Sequence, residues 1–174
     1  MVGMTGKFLK LKSKSMNEKT KLEKAALDYF VEAYNNRGFT KLKFKKHSDK
    51  PDFIVEDSQT NRAIGIEIKH LYYDCDEAKI LLDRSDKPIH NMMNSTKIIM
   101  KLNKLLQNAA ESAKKYGFKD ELFLIVRVAS PIFDKSSFDM FEGDIVIPSI
   151  LFKEIWLLFY DFSRQAWGEL KKLK

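Results

Sequence analysis

Cysteine is almost absent from this sequence. The single residue, Cys75, excludes a disulfide framework and any CxxC or Cys/His zinc arrangement, and it fits a reducing compartment, so the cytoplasm is the expected location. Glycine and proline are also scarce, with 7 and 4 copies in 174 residues. There is no Pro/Gly-rich linker, no internal repeat, and no GxxxxGK[ST] or GxGxxG loop to cradle phosphates. One domain over 1–174 is therefore expected, with 1–14 a basic segment read as flexible. Histidine is rare: His47, His70 and His90 lie in separate segments without the i, i+4 spacing of a helical zinc pair, and are read as non-ligands. No Ser, Cys or His shows a nucleophile signature. Long apolar runs are missing. IWLLFY at 155–160 is bounded by Lys153, Glu154 and Asp161, well short of the roughly 20 residues of a membrane span. MVGMTGKFLKLKSKS lacks the apolar region of a signal peptide. No membrane partner is expected.

The net charge of +7 is uneven. Residues 1–50 hold 13 Lys/Arg against 5 Asp/Glu, or +8, which leaves −1 for the remainder. A localised positive field attracts polyanions with salt-sensitive strength. A solvated lysine-rich surface without a partner accounts for the charge equally well.

Helical periodicity runs from Ser15 to Asn36, with Leu22, Ala26, Leu27, Phe30 and Ala33 on one side. Ser15 and Glu18 match a capping box, Gly38 marks the stop, and Phe39–His47 reads as a first strand that buries Leu42 and Phe44. DFIVE and AIGIEIKHLY supply strands two and three around the turn DSQTNR, and 73–92 reads as a polar loop. A second helix is expected over Met92–Tyr116, with Ile98, Leu102, Leu105, Ala109 and Ala113 as its apolar stripe. ELFLIVRVA at 121–129 has the near-continuous apolarity of a central strand covered on both faces. The tail is expected to add one more strand and a turn or short helix near Pro148. The predicted fold class is α/β, a small mixed β-sheet flanked by helices.

The second and third strands hold the chemistry. Alternation sends Ile64, Ile66 and Ile68 to one face, and Gly65, Glu67, Lys69 and Leu71 to the other. Gly65 is expected to leave open space beside Glu67 and Lys69, a pocket floor. If Asp52 lies opposite Glu67, the Cβ atoms are about 5 Å apart and the two carboxylates can share a divalent cation. With DSQTN as a five-residue loop, Asp52 instead pairs with Ile66 and faces the core, so the site requires a connection of another length or a bulge. Two carboxylates beside a lysine suit phosphodiester hydrolysis. Mg²⁺ held by Asp52, Glu67 and the carbonyl of Ile68 offsets charge on phosphate oxygens and acidifies a bound water. Lys69 positions that water or neutralises the phosphate, and its carboxylate neighbours argue against a simple general base. The tripeptide is not specific by itself, because EAK at 77–79 and ELK at 169–171 repeat the pattern. Only EIK lies in an apolar strand that follows a Pro-Asp.

Pro51-Asp52 followed by Glu67-Ile68-Lys69 after a turn resembles the PD-(D/E)xK nuclease superfamily, and the helix, three strands, helix, strand order from residue 15 to 129 matches its restriction-endonuclease-like αβββαβ core. The resemblance implies a Mg²⁺-dependent endonuclease cleaving DNA, with Asp52 and Glu67 as metal ligands and Lys69 as the catalytic lysine; Mn²⁺ is a substitute, and RNA stays open. Many members carry a first-helix glutamate at the metal, for which Glu23 is the choice and Glu32 the alternative. Gln107 resembles a polar residue that some members place near the site.

Lys97, Lys101 and Lys104, with Asn108, form a basic helical stripe that can follow a phosphate backbone. Asp74, Asp76 and Glu77 read as a solvated acidic loop. Phe152, Trp156, Phe159 and Tyr160 read as core. One active site cuts one strand, so double-strand cleavage implies a homodimer. The alternative function is a catalytically inactive nucleic-acid-binding module of the same fold, within a larger complex; a third is a basic interaction protein that binds no nucleic acid.

Overall fold

The computed structural model describes residues 18–38, 40–73, 75–81, 94–149 and 151–174. Ser15, Asp74, His90 and the segment 1–14 lie outside them. The chain forms a mixed α/β fold around one six-stranded sheet with strands in sequence order. Helix α1, Glu18–Arg37, leads into β1 (Leu42–His47), β2 (Phe53–Asp57) and β3 (Ala63–Leu71). Helices α2 (Cys75–Leu81) and α3 (Ser95–Ala113) precede β4 (Glu121–Val128). A short α4 (Lys135–Met140) and a 3-10 turn (Glu142–Asp144) lead to the hairpin of β5 (Phe152–Asp161) and β6 (Ala166–Lys172). β3, β4 and β5 run parallel, and the outer pairs are antiparallel.

Two apolar layers sandwich the sheet. Leu27 and Phe30 of α1 pack on Phe53, Val55, Ile66, Ile68, Phe123 and Ile125 on one face. Ile98, Leu102 and Leu106 of α3 pack on Leu122, Leu124, Val126, Leu157 and Phe159 on the other. Each such side chain removed from water contributes about 1.5–3 kcal/mol. β4 feeds both layers, which is why its sequence is apolar throughout. Among the described residues no helix is long and apolar enough to cross a membrane.

Several expectations are corrected. Phe44 is 44% exposed on edge strand β1, where the ladder shifts register between Phe44 and Lys46, and Lys24 stands 4.8 Å from its ring centre. The stretch after Tyr73 contains helix α2, with Asp76 and Glu77 in its first turn, where carboxylates offset the helix dipole. Helix α3 starts later than expected because Asn94 caps it, its Oδ1 accepting from the Thr96 and Lys97 amides. Leu106 and Ala110 complete its buried stripe, while Leu105 is only partly covered. The tail contributes two strands rather than one.

Candidate functional site

The turn between β2 and β3 decides the register. The Asp57 amide donates to the Arg62 carbonyl (3.0 Å) and the Asn61 amide to the Asp57 carbonyl (2.8 Å), so the loop is Ser58–Asn61. Asn61 adopts φ 56°, the left-handed conformation that asparagine tolerates. This loop is one residue shorter than DSQTN. Phe53 therefore pairs with Ile66, and the next step of the same register sets Asp52 opposite Glu67.

The β2–β3 ladder stops at that point while β3 continues to Leu71. The Asp52 carboxylate takes over from the departing backbone: its Oδ2 accepts from the Ile68 amide at 2.8 Å. Glu67, 3% exposed, accepts at Oε1 from the Tyr116 hydroxyl (2.8 Å) and the Lys69 ammonium. Its Oε2 is buried with no hydrogen-bond partner among the described residues. Lys69 itself is about one-third exposed. Burial first, and the neighbouring Glu67 second, push Asp52 up to about 6; the Ile68 amide opposes the shift, and Glu23 adds to it.

Glu23 is buried on α1 and ion-paired with Lys19 at 3.2 Å, one helical turn earlier. The pairing with Glu23 raises the Lys19 pKa, with smaller contributions from Asp52 and Glu67. The α1 pair thus flanks the free edge of β3 from the opposite sheet face. Among the described residues no group of three His, Cys, Asp or Glu side chains is arranged to hold a metal. The two carboxylates Asp52 and Glu67, together with the Ile68 carbonyl, are an all-oxygen donor set that suits a hard dication, and the orphaned Oε2 of Glu67 is a donor without an occupation. The residues fit such an ion.

Gly65 does not provide the expected open floor. A Cβ there would lie 2.6 Å from both Pro51 Cγ and Leu122 Cδ2 and 2.8 Å from Phe118 Cε1. Glycine lets Pro51 seat directly on β3, which brings the adjacent Asp52 to its place. The open volume is instead a 440 Å³ cleft between the end of β3 and helix α3, lined by Lys69, Lys101, Lys104, Asn108 and Ser112. Lys97 stands off this cleft, its ammonium 4.3 Å from the centre of the Tyr73 ring. Gln107 points to Glu111 at 3.4 Å. Glu32 lines a different cavity beside Asp161 and Arg164. His47 is exposed and packs edge-on against Phe53, whereas His70 is held down to about 4, mainly by burial and then by Arg127 and Lys69.

Glu77 is not part of a solvated acidic loop. It is 1% exposed, accepting from the Tyr73 amide (2.5 Å) and the Ser130 hydroxyl (2.7 Å), and so ties α2 to the ends of β3 and β4. Two residues at the site escaped the sequence reading. Lys19 was visible only as the i−4 partner of Glu23, and Tyr116, just beyond α3, carries no local signal because its contact with Glu67 spans 49 positions. No protein-family model, no curated protein and no solved structure matches the chain.

Proposed function

We propose that this chain is a metal-dependent endonuclease that hydrolyses phosphodiester bonds of DNA, its mixed α/β fold being of the restriction-endonuclease-like, PD-(D/E)xK kind. The observation that carries the reading is the Asp52–Glu67 pair at the end of the β2 ladder, one carboxylate on the Ile68 amide and the other buried with an unpaired oxygen beside Lys69. Two such carboxylates resist being charged together in a poorly hydrated site, and a dication relieves that resistance. Asp52, Glu67 and the Ile68 carbonyl would hold Mg²⁺ or Mn²⁺, which supplies charge neutralisation at the phosphate and a more acidic bound water.

The remaining work belongs to the chain itself. Tyr116 and Lys69 hold Glu67 Oε1, leaving Oε2 available. The exposed part of Lys69 faces the cleft, where its ammonium offsets the charge that builds on the phosphate during attack. Lys19, held by Glu23, adds a second positive charge on the other side of β3. Lys101 and Lys104 take the flanking phosphates along the cleft, which binds the strand without reading its sequence.

Supercoiled plasmid incubated with Mg²⁺ or Mn²⁺ tests the reading. Nicking by the wild type and its loss in Lys69→Ala and Glu67→Gln are expected. Salt-sensitive retention of plasmid without nicking in either metal sinks the hydrolytic reading in favour of a binding module that lacks turnover. Linear product formed in one encounter would indicate a homodimer.

A further inference from the structure

The α1 side of the sheet carries a further cavity, of 290 Å³, bounded in part by Leu22, Tyr72, Arg127, Tyr160, Phe162 and Trp167. Four of its lining residues, Tyr72, Tyr160, Phe162 and Trp167, are aromatic. Tyr160 meets Phe162 and Trp167 edge-on at 5.1 and 5.7 Å between centroids, and Phe162 is 56% exposed. The Arg127 guanidinium lies 4.2 Å from the centre of the Trp167 ring and has no carboxylate partner or hydrogen bond among the described residues.

This cavity shares two elements with the acidic site but lies on the opposite face of the sheet, Arg127 being on the α1 side and Glu67 and Lys69 on the α3 side. Leu22 precedes Glu23 on α1, and Arg127 pairs across the ladder with His70, which follows Lys69. Lys69 and Tyr72 are three residues apart, about 10 Å along an extended chain.

The wall chemistry selects the occupant. An aromatic cage for an organic cation would be spoiled by the guanidinium, and a hydrocarbon chain would leave that guanidinium's five donors unanswered. A planar heteroaromatic ring with carbonyl and ring-nitrogen acceptors satisfies both the rings and the arginine. The volume lies at the small end of ligand pockets, which begin at about 300 Å³, so it admits one ring system. A base stacked and paired inside a duplex cannot enter it. We infer that this cavity receives a single unstacked nucleobase of the DNA strand held at Asp52 and Glu67, so that the substrate class is DNA with unpaired nucleotides rather than intact duplex. The inference rests on the endonuclease reading for the identity of the polymer, but it is tested without cleavage.

The test measures equilibrium binding of the full chain, in EDTA, to a fluorescein-labelled DNA oligonucleotide, single-stranded or annealed to its complement. Single-strand affinity should exceed duplex affinity about 10-fold, and Phe162→Ala and Arg127→Gln should each bring that ratio close to one, in line with the energy of stacking one base. Phe162 is mostly exposed, so its truncation spares the fold, and Phe44→Ala, an exposed ring outside the cavity, should keep the wild-type ratio. Equal affinity of the wild type for both forms, an unchanged ratio in Phe162→Ala, or no binding to either DNA overturns the inference. Lys69-dependent nicking combined with equal affinities removes this pocket and leaves the endonuclease reading standing. A Phe162-dependent preference without any nicking does the reverse.

Discussion

Two buried glutamates of this molecule, Glu77 and Glu67, are treated in opposite ways. Glu77 has both oxygens engaged by the Tyr73 amide and the Ser130 hydroxyl, and its surroundings are closed. Glu67 has one oxygen tied to Lys69 and Tyr116, and the other buried with no hydrogen-bond partner among the described residues. A buried carboxylate that only holds a fold together is fully hydrogen-bonded, because every unmet lone pair costs stability. The unmet oxygen of Glu67, next to an Asp52 pushed up to about 6, is the feature on which the proposed metal site rests.

The sharpest way to break this comparison is to neutralise each carboxylate in turn. Glu67→Gln and Asp52→Asn should lower plasmid nicking by about 10³-fold or more, while Glu77→Ala should leave nicking per folded molecule within a few-fold of wild type. Comparable losses from both glutamates, measured on protein verified folded by circular dichroism, would erase the distinction. Stability should respond the other way. Glu77→Ala strands the Tyr73 amide and Ser130 hydroxyl and should cost about 3 kcal/mol in urea unfolding.

Gly65→Ala tests the seat of the site. Its Cβ would push against the rigid Pro51 ring, so it should cost about 1–3 kcal/mol and displace Asp52, depressing nicking more than its stability loss explains. An active Gly65→Ala protein of wild-type melting temperature would show that Pro51 does not set the carboxylate.

The pH response is smaller and has two opposed parts. Asp52, raised from 3.8 to about 6, keeps its proton in the native state longer than in the unfolded chain, so its contribution falls as pH rises from about 4 to 6. His70, lowered from 6.5 to about 4, binds its proton less well when folded, so its contribution rises over nearly the same interval. Metal-free wild type should therefore vary little in melting temperature between pH 4 and 6. Asp52→Asn should expose a rising profile and His70→Phe a falling one; parallel profiles in all three proteins would contradict the assignment. Divalent cations bind the ionised carboxylate, so nicking should climb through about pH 6.

The smallest effect is expected at the cleft wall. Lys101→Gln and Lys104→Gln should each reduce the salt dependence of DNA binding by about one phosphate contact, and Lys97→Gln by less, since its ammonium rests on Tyr73. Equal slopes for all four proteins would move the DNA path elsewhere.

Much of this molecule is readable in linear order. The period of Leu27, Phe30, Ile98, Leu102 and Ala109 specified two helices, and the unbroken apolarity of ELFLIVRVA specified a central strand, because local periodicity reports which face is buried. Asp52, Glu67 and Lys69 were singled out for their chemistry in an apolar context. Other features were set by contacts between distant segments. Glu77 looks like a solvated acid until Ser130, 53 positions away, meets it, and Gly65 looks like a void until Pro51, Leu122 and Phe118 fill it. Side-chain type and spacing thus determined the two long helices and the central strands, and picked out the candidate groups. Only the folded chain decided, through a four-residue turn, that Asp52 faces Glu67 rather than the core, since in a strand of period two a single residue of loop length inverts every side chain.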